Sequence, residues 1–319
     1  MRGKSVSENP FTHLAESPPI TALLDPGNLS TLSVEQFASR MNAVLFGLTE
    51  KYAIDPKHLR PVAKKTIKHF INDFSTHGHC TIIMRHGEQV VDPELSEYDA
   101  ARKKIIMMQD DHNNNDSITL SSALEFCATF LTFAYIRSKT AARITIESSP
   151  NPRAAHPARL MADALACDLE FKESWRCVNY PSDERFEEHG LFRYLNHGTL
   201  PWEKEAVDAV VGEGTFDRIL TDMQRIFEHP VTSGQIRIII THTQQTNAVC
   251  QLSGMEPVRL NNYGYIAISD KATLHPSGFY LPEQTLQRLI QSRNPSFFRL
   301  GTEENDGNKQ SDFTARHGK

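Results

Sequence analysis

The chain has 319 residues, 39% of them hydrophobic and 23% charged, with a formal net charge of -5 and a pI near 6.3. That balance suits a soluble globular protein rather than a disordered or fibrous one, and the length allows one α/β domain of ordinary size plus additions. It argues against a nucleic-acid partner or an acidic membrane surface, because phosphate-backbone binding needs concentrated Lys and Arg.

Residues 1–30 are rich in Ser, Pro and Asn and read as an irregular leader. They lack the apolar stretch of a signal peptide. No uninterrupted apolar run in the chain is long enough to cross a membrane. A cytoplasmic location without a membrane partner is therefore expected, although export without a cleaved signal would leave no such trace. Residues 31–76 read as a helical extension. Its first helix carries Phe37, Met41, Val44, Leu45 and Leu48 at helical spacing, with Ser33 and Glu35 near the start. Its second starts behind Pro56 and carries Val62, Ile67, Phe70 and Ile71.

The main domain is expected over residues 77–297. It opens with His79-Cys-Thr-Ile-Ile-Met-Arg-His-Gly-Glu88, a β-branched apolar run flowing into a polar turn, as in a buried strand that ends at a site. A helix over 117–136, capped by Ser117 or Thr119, leads to a second buried strand at Arg143-Ile-Thr-Ile-Glu-Ser-Ser-Pro150. Residues 157–171 read as one helix, and 175–203 as an irregular segment of mixed charge. An amphipathic helix over 215–229 precedes the strongest strand, Gln235-Ile-Arg-Ile-Ile-Ile-Thr-His-Thr243, which a helix from Asn247 follows. Tyr263–Asp270 is a further strand and Leu281–Ser292 a last helix. Residues 298–319 read as a polar, disordered tail. Strands alternating with helices give the fold class: α/β, a mainly parallel central sheet with helices on both faces, plus the N-terminal helical extension.

Three of these strands end in residues of one chemical kind. They are Arg85-His86-Gly87-Glu88, then Ser148-Ser149-Pro150 with Arg153 just beyond, and Thr241-His242-Thr243. In open α/β sheets, sites form outside the carboxyl ends of strands, so these ends can converge although they are distant in sequence. Convergence would assemble two histidines and two arginines. Guanidinium forks match phosphate oxygens, and imidazoles serve covalent or acid–base work. A predicted helix follows each strand, and its N-terminal amides favour phosphate further.

R-H-G-E after a strand, S-S-P-x-x-R-A over Ser148–Ala154 and a strand-end T-H resemble the motifs of the histidine phosphatase superfamily, the phosphoglycerate-mutase-like proteins. The likeness spans about His77 to Ser292, in the family's order, and 117–126 resembles its T-x-x-G-x-x-Q-A helix. The resemblance implies the phosphoglycerate-mutase-like fold and a two-step mechanism. His86 attacks phosphorus and forms a phosphohistidine, and water then releases phosphate. Arg85, Arg153 and His242 would hold the phosphoryl oxygens, with Gly87 and Thr243 completing the phosphate-binding set. A carboxylic acid would protonate the leaving oxygen and later activate water. The family draws it from the loop after the second arginine, where Asp183 and Glu184 are the nearest candidates, followed by Glu187 and Glu188, and the sequence does not separate the first two.

Two departures matter. Gln89 and Asp92 stand where the phosphoglycerate mutases carry a small hydroxyl residue and an asparagine, and Thr243 replaces a common glycine. They disfavour a mutase and leave phosphatase as the expectation. A phosphate-binding scaffold without catalysis is the reading from a different class. The expected substrate is a phosphorylated small molecule or a phosphoprotein. No cofactor or metal is expected, since the carboxylates and histidines form no H-E-x-x-H or clustered Asp pattern. His77 and His79 read as loop residues, and Lys64, Lys65 and Lys68 as a solvated helix face. The five scattered cysteines read as reduced, mostly buried thiols. Aromatic residues in the 175–203 segment are expected to pack a lid or select substrate.

Overall fold

The structure, a computed structural model, describes residues 18–51, 64–87, 120–176, 202–229, 231–253, 260, 263–270 and 273–276. Four helices lead into the sheet: α1 (Pro18–Leu24), α2 (Pro26–Thr31), α3 (Val34–Lys51) and α4 (Lys64–His77). Then come β1 (His79–Arg85), α5 (Leu120–Thr140), β2 (Arg143–Ser148), α6 (Pro152–Leu165), β3 (Asp168–Phe171) and a 3₁₀ turn, Glu173–Trp175. Helices α7 (Lys204–Val211) and α8 (Thr215–Glu228), β4 (Gln235–Thr241), α9 (Thr243–Leu252), β5 (Tyr265–Asp270) and β6 (Thr273–Pro276) complete the described elements.

The strands form one sheet in the order β3-β2-β4-β1-β5-β6. The first four are mutually parallel, and β5 and β6 close the other side antiparallel. Side chains alternate across each strand, so one run of isoleucines feeds two layers. Ile82, Met84, Ile238 and Ile240 face a core shared with α1 to α6, where Phe37, Met41, Phe70, Phe126, Phe130 and Ala158 lie buried. Ile83, Ile239, Ile266 and Ile268 face the opposite layer, against Ile219, Met223 and Ile226 of α8 and Ala248 and Val249 of α9. Helices therefore cover both faces, as expected for a mainly parallel sheet.

Two stretches depart from the sequence reading. Residues 18–30, expected to be irregular, fall in α1 and α2 and bury Ile20, Leu23 and Leu29. Their Pro and Asp residues act as helix starts rather than breakers. Pro26 opens α2, and the Asp25 carboxylate caps it by accepting from the Gly27 amide at 2.9 Å. The helix expected over 157–171 stops at Leu165, where Ala166 turns left-handed at φ 44°. Residues 168–171 then pair in parallel with Thr145–Ser148 as an edge strand. Tertiary pairing overrides the apolar spacing there. His77 closes α4 and His79 opens β1, so neither is a loop residue. The leader's first 17 residues, the 298–319 tail and the Leu281–Ser292 helix lie outside the described residues.

The N-terminal helices pack as part of the core. A capping box starts α3, with Ser33 and Gln36 exchanging side-chain and amide hydrogen bonds at 2.9 and 3.2 Å. Phe37 stacks on Tyr135 of α5 at 4.2 Å between ring centroids, and the Tyr135 hydroxyl donates to the Leu32 carbonyl at 3.0 Å. Since both rings are fully buried, Phe37→Ala is expected to cost about 3–5 kcal/mol in urea unfolding. A cost near zero would show that α3 is an appendage and not a wall of the core.

Candidate active site

The strand order explains why three distant segments meet. Strand β4 lies between β1 and β2, with Arg85 opposite Thr241 and Ser148 opposite Ile240. The ladder continues one step past the strand ends. The His86 amide donates to the Thr241 carbonyl and the Ser149 amide to the Ile240 carbonyl, both at 2.9 Å. His86, Ser149 and His242 thus leave the sheet side by side. Pro152 and Thr243 start α6 and α9 immediately afterwards, so two helix N-termini border the same place.

Arg153, only 6% exposed, stands between the two imidazoles. Its Nε donates to His86 Nε2 at 3.2 Å, and its Nη2 lies 3.2 Å from His242 Nδ1. The rings are 4.8 Å apart, centroid to centroid, and tilted by 56°. A guanidinium has no acceptor, so both nitrogens facing it must carry lone pairs. His86 then bears its proton on Nδ1 and donates it to the Gly87 carbonyl at 2.5 Å. His242 bears its proton on Nε2, facing Ser149 Oγ at 2.9 Å. Both tautomers follow from one side chain.

Of the residues expected at the site, Arg85, His86, Gly87, Arg153 and His242 are brought together. Thr243 is half-buried as the first residue of α9. Arg85 directs Nη1 to the Leu260 carbonyl at 2.7 Å, which fixes its edge against the loop before β5. Asp183, Glu184, Glu187, Glu188, Gln89 and Asp92 lie outside the described residues, as does most of the 175–203 segment.

Other residues at the site carry no role that the sequence motifs assign. Ser149 and Asn151, fully and nearly buried, continue the chain of hydrogen bonds behind His242. Their signal is a hydroxyl and an amide four and two positions before the arginine. Arg176 follows the 3₁₀ turn, with its guanidinium on Glu173 at 2.6 and 3.2 Å and its carbonyl accepting from Gln245 at 2.9 Å. The turn is braced by Glu147, which is 8% exposed. One Glu147 oxygen accepts from the Trp175 indole at 3.0 Å, while the other meets Lys172 at 3.1 Å. The Trp175 carbonyl in turn accepts from Thr241 Oγ1 at 3.1 Å, beside His242. An acidic residue inside an apolar strand is itself the clue, because a buried carboxylate requires partners.

Burial first, then the positive charge of Arg153 and of the nearby Arg85 and Arg176, holds His242 well below the ordinary imidazole value of 6.5. Positive side chains and helix N-termini therefore surround a neutral ring, an environment suited to an anion rather than a cation. Among the described residues, no group of three His, Cys, Asp or Glu side chains is placed to hold a metal ion. Nor is any helix there long and apolar enough to cross a membrane. Cys80, Cys127 and Cys250 are buried thiols, and burial raises Cys127 to about 12.

No protein-family model matches the chain, and no curated protein matches it in sequence. Among solved structures it is similar to a mycobacterial glucosyl-3-phosphoglycerate phosphatase, at 12% identity over 63% of this chain and 99% of that one, TM-score 0.35. It is also similar to phosphoserine phosphatase from Entamoeba histolytica, at 12% identity over 63% and 96%, TM-score 0.36. Phosphoglycerate mutase from Plasmodium falciparum is a third, at 14% identity over 55% and 74%, TM-score 0.25. At such identities and TM-scores the likeness carries no argument about chemistry, which must come from the residues themselves.

The neutrality of His242 has a signed consequence for stability. Below about 6.5 the unfolded chain protonates this ring while the native one does not, so the unfolded state binds more protons. Stability from His242 is full above that pH and lost as pH falls through it. The urea midpoint of the wild type is expected to drop between about pH 7 and pH 5.5 more steeply than that of His242→Gln. Equal slopes would show His242 titrating as a solvated histidine does.

Proposed function

We propose that the protein is a metal-independent phosphomonoesterase that passes a phosphoryl group through His86 Nε2 to water. The observation that carries this reading is the Arg153 guanidinium bonded at once to His86 and His242. A planar fork between two ring nitrogens, beside a second arginine, is the donor set that a tetrahedral dianion would engage.

In the resting site, Arg153 occupies the lone pair that must attack. An entering phosphoryl group competes for the guanidinium through its oxygens and releases His86 Nε2 for in-line approach. As the N–P bond forms and the P–O bond to the leaving group breaks, positive charge grows on the imidazole. The Nδ1–H bond to the Gly87 carbonyl strengthens as that charge develops. Arg85 and Arg153, with Gly87 and Thr243 beside them and the amides at the starts of α6 and α9, would hold the equatorial oxygens, and His242, whose Nδ1 has no hydrogen to give while the ring is neutral, would join them by taking up a proton as the dianion enters. The leaving oxygen takes a proton from a carboxylic acid, for which Asp183 and Glu184 remain the candidates. Water then attacks phosphorus and gives a proton to the same carboxylate, and the N–P bond breaks to regenerate neutral His86. The arginines supply the charge that a metal ion would otherwise provide. The substrate class is a phosphorylated small molecule or a phosphoprotein, with the cytoplasm as the working compartment.

Hydrolysis of a generic aryl phosphate in the presence of chelator tests this directly. His86→Ala is expected to lose about 10³-fold or more, and Arg153→Ala about 10²–10³-fold in kcat. An alkaline quench of the wild type during turnover should leave labelled phosphate on His86. Phosphate binding without hydrolysis of any phosphomonoester would replace this reading with that of a phosphate-recognition scaffold.

A further inference from the structure

The hydrogen bonds behind His242 form a directed chain with no free choice in it. Arg153 can only donate, so His242 Nδ1, 3.2 Å from Nη2, is bare. The neutral ring therefore carries its proton on Nε2 and gives it to Ser149 Oγ at 2.9 Å. Ser149 Oγ also accepts the Asn151 amide hydrogen at 3.2 Å and donates its own hydrogen to Asn151 Oδ1 at 2.9 Å. Two bonds accepted and one donated saturate the hydroxyl. Were the Asn151 amide reversed, its NH₂ would donate to Ser149 and drive the serine hydrogen onto His242 Nε2. The ring would then carry its proton on Nδ1 and point it at the guanidinium, donor against donor. Arg153 thus decides the orientation of Asn151 through two intervening groups.

Water has no access to relax this arrangement, because Ser149 is 0%, His242 1% and Asn151 4% exposed. Asn151 is itself anchored, since its carbonyl accepts the Ala154 and Ala155 amides at 2.9 Å and starts α6. The residue that receives the Ser149 hydrogen is thus also the residue that launches the helix carrying Arg153.

We infer that Ser149 and Asn151 are positioning residues of the site: they hold His242 as the Nε2–H tautomer, with a bare Nδ1 that accepts from Arg153 and so keeps the guanidinium aligned on His86. The assignment rests on the phosphatase reading for its catalytic consequence, and on geometry alone for the tautomer. Neither residue touches the reacting atoms. Without the Ser149 acceptor, Nε2–H is buried with no partner, and the alternative tautomer repels the guanidinium that aligns His86. The cations facing His242 (Arg85, Arg153 and Arg176) are the same in either variant, so the relay is the only part changed.

Imidazole ¹⁵N–¹H correlation spectra of ¹⁵N-histidine-labelled protein report each ring's tautomer directly. In the wild type His242 should show a protonated Nε2 and a bare Nδ1, and His86 the reverse. Ser149→Ala should convert His242 to mixed tautomers and lower kcat on an aryl phosphate by about 10–100-fold, with KM changed far less. Ser149→Thr, which keeps the hydroxyl, should restore both the spectrum and most of the rate. Asn151→Ala should fall between. A wild-type His242 protonated on Nδ1 would overturn the inference, as would Ser149→Ala with an unchanged spectrum and kcat. The wild-type spectrum decides the matter even if Ser149→Ala does not fold. An inactive wild type with the expected tautomers would refute the phosphatase and leave the positioning intact.

Discussion

One guanidinium shared by two imidazoles organises this site. Arg153 approaches both rings at 3.2 Å while only 6% exposed. A buried cation of this kind costs a great deal in desolvation unless its surroundings supply acceptors. Here the acceptors are ring nitrogens, which serve only if both rings are neutral and correctly tautomeric. The protonation of His86, the protonation of His242 and the orientations of Ser149 and Asn151 therefore depend on Arg153. The same guanidinium would be the first group to turn toward an incoming dianion, so the resting site is poised by the contact that binding must exchange.

The sheet exists in a form that makes this contact possible. Placing β4 between β1 and β2 puts the ends of three parallel strands in adjacent lanes, a place where α/β folds form sites. Period-two alternation lets the same strands bury isoleucines on both faces, so their carboxyl ends emerge from a core packed on either side. The Glu147–Trp175 bond adds a brace from the sheet's other face to the turn beside His242, through the Trp175 carbonyl and Thr241. For the proposed phosphatase such packing would matter, because phosphoryl transfer depends on positioning and electrostatics more than on any reactivity intrinsic to the side chains.

Much of the site is legible in the amino-acid sequence. Arg85-His86-Gly87, Ser148-Ser149-Pro150 with Arg153, and Thr241-His242 each stand where an apolar strand gives way to polar residues, and the strands converge there. Less legible are the parts whose role lies in a partner. Ser149 and Asn151 look like turn residues until His242 is placed against them. Glu147 looks like a flaw in a strand until Trp175 and Lys172 meet it. The Asp168–Phe171 segment carries helical spacing yet becomes an edge strand, because Ala166 ends the helix and β2 offers an unpaired edge. The leader's prolines read as irregular chain, yet Pro26, with Asp25 as cap, starts a helix.

The sequence by itself determined the α/β class, the strands' two-faced burial and the chemistry gathered at three strand ends, because periodicity and residue type are local properties of the chain. Tertiary structure alone decided which strands are neighbours and which ring nitrogen carries each proton. Those choices rest on contacts between residues 67, 89 and 93 positions apart. No local pattern encodes such contacts, since each depends on the register of a sheet that forms only when the whole core closes.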